Sequence, residues 1–115
     1  MGLRNKMKYK TLDSGKKKNF KSGMVRNLDE DKPMYVLCYR PMFKRWAELM
    51  TRGAKLYGKN NWMLADGEEE LERFKDSALR HMIQWLEGEQ DEDHAAACYF
   101  NISGAEYVRD KMNKK

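Results

Sequence analysis

Residues 68–86, EEELERFKDSALRHMIQWL, decide the fold. Leu71, Phe74, Ala78, Met82 and Trp85 recur at intervals of three and four, the spacing that gathers side chains on one face of an α-helix. Glu68, Glu69 and Glu70 put negative charge at the end where the helix dipole is positive. Gly88 supplies a stop just beyond. The pattern predicts a helix over 68–86 with one buried stripe.

Two further helices flank it. Upstream, Pro41 suits a first helical turn, where its missing N–H costs nothing. Phe43, Trp46, Ala47, Met50, Ala54 and Tyr57 then share a face, and Gly58 ends the segment with Lys55 and Lys59 near its negative end. Asn60 to Gly67 is a connection. Downstream, the short loop Glu89–Asp91 predicts a third helix packed antiparallel to the second. Asp91 or Asp93 can cap it. Ala95, Cys98, Tyr99, Ile102 and Ala105 or Glu106 give its inner spacing. No strand pattern competes. The expected architecture is all-α, a bundle of about three main helices behind an irregular N-terminal arm. Three such helices alone expose much apolar surface, and the chain holds nine Met and three Trp. A homodimer or homotetramer is the simplest way to complete the bundle.

At 115 residues the chain is one domain with a modest core. Its net charge of +5 is unevenly spread. Residues 1–32 form a basic arm, expected to be ordered only in part, and Pro33 opens the helical domain, 33–115. Met34 to Cys38 is an apolar run expected to approach the first helix in an extended form. Basic arms contact nucleic acid or other anions, although a solvated terminus is the plainer reading. Cys38 and Cys98 are too few for a disulfide framework and suit free thiols in a reducing compartment. No apolar run approaches the roughly 20 residues of a membrane span, and no apolar leader follows Met1. The expected location is cytoplasmic.

The acids carry the first candidate chemistry. Glu48, Asp76, Glu89 and Asp93 come from separate helices and a turn. Carboxylates meeting in a bundle form an oxygen-rich cage for Mg²⁺ or Mn²⁺. Acids at helix starts, Glu68 to Glu70 above all, are better read as caps and dipole partners. Glu-x-x-Glu occurs at Glu69/Glu72 and at Glu89/Glu92, a spacing that charged helices also produce by chance. His81 and His94 are the only histidines; each lies near a helix end or the acidic turn, as a proton shuttle, an orienting group or a packing residue. Arg26, Lys32, Lys55 and Arg80 are cations able to hold phosphates, Arg80 alternatively pairing with Asp76. Asn61 and Asn101 offer donor and acceptor to a base or sugar edge. Trp62 and Tyr57 offer flat faces for stacking, with core packing the plainer role for Tyr57.

Taken in order, these residues resemble a known family. The pieces are Ser22-Gly23-Met24-Val25-Arg26, Lys32-Pro33-Met34-Tyr35, Gly53-Ala54-Lys55-Leu56-Tyr57-Gly58, Asn61-Trp62, Asp76, Leu79-Arg80-His81, Trp85, Gly88-Glu89, Asp91-Glu92-Asp93-His94 and Asn101. Together they resemble the phage-encoded dATP/dGTP diphosphohydrolase N-terminal family, related to the MazG-like all-α nucleoside triphosphate pyrophosphatases. The resemblance implies cleavage of a deoxynucleoside triphosphate between the α- and β-phosphates, a divalent cation and an oligomeric helical fold. It implies that residues 22–32 are ordered near the site, with Arg26 and Lys32 at family positions. The chain departs from the family at Ala97, near which a second histidine stands in other members. The rival expectations are a nucleic-acid-binding accessory protein and an inactive interaction module.

Overall fold

The computed structural model describes residues 9–28 and 31–114. The chain divides into two compact units, with the break between Tyr35 and Val36. The first contains a two-stranded antiparallel hairpin, β1 (Lys17–Asn19) and β2 (Val25–Asn27), in the register Lys17↔Asn27, Lys18↔Arg26 and Asn19↔Val25. This corrects the expectation of an irregular arm without strands. Each strand has three residues, too short for an alternation of apolar and polar positions to show in the sequence. Tyr35–Leu37 form a 3-10 turn, where an extended approach was the expectation.

The second unit is helical, as the sequence predicts: α1 (Arg40–Tyr57), a 3-10 turn (Asn61–Leu64), α2 (Glu68–Leu86) and α3 (His94–Asn113). Pro41 stands in the first turn of α1, and Gly58, at φ +95°, ends it. The end of α2 is a Schellman motif: Glu89 N–H donates to the Gln84 carbonyl at 3.1 Å and Gly88 N–H to that of Trp85 at 3.1 Å. Gly88 takes φ +77°, open to glycine at little cost. None of the helices is long and apolar enough to cross a membrane among the described residues.

The core lies along the α2–α3 seam. Leu71, Ala105 and Val108 are buried with Ala65, and Phe74 and Met112 pack against them. The helices run antiparallel, since Phe74 meets Phe100 edge-on at 5.9 Å while His81, further along α2, meets His94 at the start of α3. Gly104 permits the close approach. A Cβ there would sit 2.5 Å from the Phe74 ring. Glycine in mid-helix costs about 1 kcal/mol relative to alanine, and here that cost makes room for an aromatic ring.

The stripes are rotated from those expected. The inward line of α2 is Leu71, Phe74, Ser77 with Ala78, then His81; Met82 and Trp85 are exposed. On α3 it is Ala97 with Cys98, Asn101, Gly104 with Ala105, and Val108, while Tyr99 and Ile102 face outward. Apolar spacing misled because α2 carries a second stripe, Leu79, Met82, Ile83 and Leu86, at i, i+3, i+4 and i+7, all exposed. α1 contributes no fully buried residue. It meets α3 chiefly through Trp46, edge-on to Tyr99 at 4.7 Å, and through Arg45.

Gly104→Ala tests the seam. Overpacking costs about 1–3 kcal/mol, against about 1 kcal/mol gained in helix propensity. The expected result is a Tm lowered by several degrees in thermal unfolding, with recovery when Phe74→Leu is added. An unchanged Tm would contradict the close contact.

Candidate functional site

Three local devices build the site. Asp93 caps α3, its Oδ1 accepting from Ala96 N–H at 3.1 Å. The same carboxylate receives the fork of Arg45 from α1, Nε to Oδ2 at 2.8 Å and a terminal nitrogen to Oδ1 at 2.6 Å. The Arg45 hydrogen bonds are the largest cause holding the Asp93 carboxyl down at about 2, with the Ala96 N–H adding to them against the opposing effect of burial. The Schellman turn then sets Glu89 beside the start of α3, where its Oε1 accepts from the Gln84 side chain at 3.2 Å.

Behind this turn lies a hydrogen-bonded chain. Asp91 Oδ1 is 2.7 Å from His94 Nε2, and His94 Nδ1 is 2.9 Å from His81 Nδ1. Both imidazoles are buried and Asp91 is exposed. The hydrogen bond from His94 is the main cause holding Asp91 below the usual carboxylate range, so an ionised Asp91 accepts and His94 Nε2–H donates. With both rings neutral, His94 accepts at Nδ1 and His81 donates, which leaves the His81 Nε2 lone pair without a partner among the described residues. Burial, followed by the charge of Arg80, lowers the His81 pKa from its ordinary value. Two imidazoliums cannot share this contact, because both Nδ1 atoms would be donors.

His81 opens onto a cleft of about 730 Å³, within the range of small-molecule sites. Its walls come from the second half of α1, the turn through Asn60, Asn61 and Trp62, and the α2–α3 seam at His81, Ala97, Phe100 and Asn101. Glu92 is the one carboxylate in its lining; Arg52 and Lys59 are the cations. Asn101 is buried and spends its Nδ2 on the Ala97 carbonyl at 2.8 Å, leaving Oδ1 as the acceptor. The turn is fastened from α3. Tyr107 Oη donates to the Met63 carbonyl at 3.1 Å, and Lys111 Nζ reaches the carbonyls of Met63 and Ala65 at 3.1 and 3.0 Å. Trp62 packs edge-on against Tyr107 at 4.8 Å. Asn61 and Trp62 also line a second cavity of about 300 Å³, with Glu70, Arg73 and Phe74.

Of the residues singled out from the sequence, His81, Asn61, Trp62 and Asn101 line the main cleft, and His94 stands directly behind His81. Lys55 is exposed on α1 outside the lining, between Arg52 and Lys59, which belong to it. Arg80 is exposed beside His81, with Ser77 Oγ at 3.5 Å, and Asp76 forms no ion pair with it. Glu48 and Asp76 are exposed on α1 and α2, and Asp93 is engaged by Arg45. Arg26 lies on β2 and Lys32 beyond the hairpin, both in the N-terminal unit.

A different set of donors gathers at the turn. Ligand atoms of Glu89, Asp91 and His94 lie within 4.8 Å of one another. Two carboxylates and an imidazole fit a divalent cation, and the nitrogen suits Mn²⁺ better than Mg²⁺, which keeps oxygen shells. None of the three lines the cleft, but Glu92, next to Asp91, does. The sequence reading did not assign Asp91, Glu92, Arg45 or Arg52 to the site. The Glu89-x-x-Glu92 spacing was the signal for Glu92.

Acid unfolding probes the Arg45–Asp93 pair. A carboxyl whose folded pKa lies below its unfolded value adds stability above the latter and loses it as pH falls toward the former. The window is therefore pH 3.8 down to about 2. Asp93→Asn keeps a competent cap and removes the charge. It should lower stability at pH 7 by about 1 kcal/mol and flatten the acid limb in that window, followed by circular dichroism.

No curated protein and no solved structure matches the chain. Residues 22–114, which include α1, α2 and α3, match the family described as dATP/dGTP diphosphohydrolase, N-terminal. The chain belongs to that family.

Proposed function

We propose that the protein is a divalent-cation-dependent diphosphohydrolase of purine deoxynucleoside triphosphates, releasing the monophosphate and pyrophosphate. Family membership supports the reaction class. The observation that carries the reading further is the convergence of Glu92, His81, Asn101, Asn61 and Trp62 on one cleft with a basic edge.

The base lies against Trp62, with Asn61 and Asn101 offering polar edges. Arg52 and Lys59 hold the phosphates by charge, and Lys55 and Arg80 add to the positive field around them. Water attacks the α-phosphorus, the bond to the oxygen bridging α and β breaks, and the electron pair leaves with pyrophosphate. Glu92 takes the proton of the water. Glu89, Asp91 and His94 would hold a divalent cation, which would supply neutralisation of the triphosphate charge and a more acidic water. In that state His94 donates from Nδ1, His81 accepts there, and His81 presents Nε2–H to a phosphoryl oxygen. Glu48 and Asp76, exposed on α1 and α2, and Asp93, engaged by Arg45, stand outside this set. The free thiols Cys38 and Cys98, the latter pushed up by burial, suit a cytoplasmic enzyme.

Purified protein incubated with dATP or dGTP and Mn²⁺ should release pyrophosphate and monophosphate, identified by mass. Glu92→Gln should lower kcat by about 10²–10⁴-fold, as loss of a general base does. If no deoxynucleoside triphosphate yields pyrophosphate, the proposal fails.

The exposed stripe Leu79, Met82, Ile83 and Leu86 further supports a homo-oligomer, since an apolar helix face of this regularity is an interface in the making. Ile83→Lys with Leu86→Glu should shift sedimentation to the monomer mass. An unmodified chain that already sediments as a monomer would rule this out.

A further inference from the structure

We propose that the β1–β2 hairpin is a binding surface for single-stranded nucleic acid, an activity separate from the cleft. The first 35 residues hold ten Lys or Arg against four acids, whereas residues 36–115 hold thirteen against fourteen. The whole positive balance of the protein therefore belongs to the N-terminal segment.

Within the hairpin the charges are sorted by face. Lys18 is directly opposite Arg26. Side chains two residues apart on a strand share a face, and Phe20 N–H donates to the Met24 carbonyl at 2.9 Å, so the Phe20–Met24 pair extends the Lys18–Arg26 side. The Lys18 Nζ, 5.8 Å from the Phe20 ring centroid, agrees. The opposite face is neutralised: Lys17 pairs with Asp13 at 2.6 Å and with Asn27 at 3.0 Å. Asp13 is the only acid among residues 9–28, and it is spent there.

Like charges directly opposite each other destabilise a strand pair, and a two-stranded hairpin is marginal to begin with. Neither Lys18 nor Arg26 has an acidic partner among the described residues. An arrangement that costs stability in the free protein is relieved by phosphates laid along this face. Phe20 and Met24 are exposed between the cations and the loop. An aromatic beside a basic track is the means by which unpaired bases are held, by stacking, without sequence preference. A duplex hides its base faces and offers Phe20 nothing. The family match begins at residue 22, so β1 and Phe20 lie outside it and Arg26 inside. The composite face thus exceeds what the matched region alone contains.

The test uses the full chain with a fluorescein-labelled 20-mer of deoxythymidine and a duplex of equal length, by anisotropy across a salt series. Binding to the single strand should be the tighter and should weaken with salt. Lys18→Ala with Arg26→Ala should reduce the log–log salt slope by about 1.4, at about 0.7 per phosphate contact, with the Tm unchanged or raised because the repulsion is gone. Lys18→Arg with Arg26→Lys should retain the slope. Phe20→Ala should weaken binding about tenfold or more while leaving the slope alone. An unaltered slope in the double alanine variant, a preference for duplex, or a neutral Phe20→Ala would each overturn the proposal. Pyrophosphate release is read separately, so failure here leaves the enzymatic reading standing.

Discussion

The contact between His81 and His94 is the constraint on which the helical unit turns. Two imidazoles buried at the end of the α2–α3 seam satisfy each other at Nδ1, and a buried polar group left without its partner costs stability. Their pairing fixes the angle at which the chain leaves α2 and enters α3. The rest follows from that geometry: Gly88 takes up the reversal, Asp93 caps the new helix, and Arg45 draws α1 onto the same corner. The opposite end of the seam is held by packing, with Phe74 over Gly104 and Leu71 against Val108. One seam thus has an apolar end held by packing and a polar end held by the two histidines.

Much of this was legible in the residues. The bounds of α2, the stop at Gly88, a cap at Asp91 or Asp93 and the short connection to α3 all follow from local rules that tertiary structure did not override. The facing of the helices was less legible. Met82 and Trp85 are as apolar as any core residue, and only the presence of His94 opposite explains why His81 is inside instead. Hydrophobic periodicity locates a stripe, but where a helix carries two stripes it cannot say which one this chain covers itself. The hairpin escaped notice because three-residue strands leave no periodic trace.

Polar and aromatic residues singled out in the sequence line the cleft, whereas the singled-out charges do not. Asn61, Trp62, His81 and Asn101 reach one cleft from three separate segments, the Asn61–Leu64 turn, α2 and α3. The acids were harder to sort. Asp93 looks like a ligand in sequence, yet its oxygens are taken by a cap and a guanidinium, while its neighbours Asp91 and Glu92 stand at the histidine chain and the cleft. Four successive positions, Asp91 to His94, carry four different jobs, and only three-dimensional neighbours distinguish them.

The fastening of the Asn61–Leu64 turn by Tyr107 and Lys111 carries a consequence for how the cleft can be tuned. One wall of the cavity is anchored through backbone carbonyls, by side chains more than forty residues downstream that the cavity itself never meets. Changes at the last turns of α3 therefore act as a remote adjustment of the aromatic wall, leaving its composition untouched. Selection can vary how rigidly Trp62 is held without replacing any group that lines the cleft.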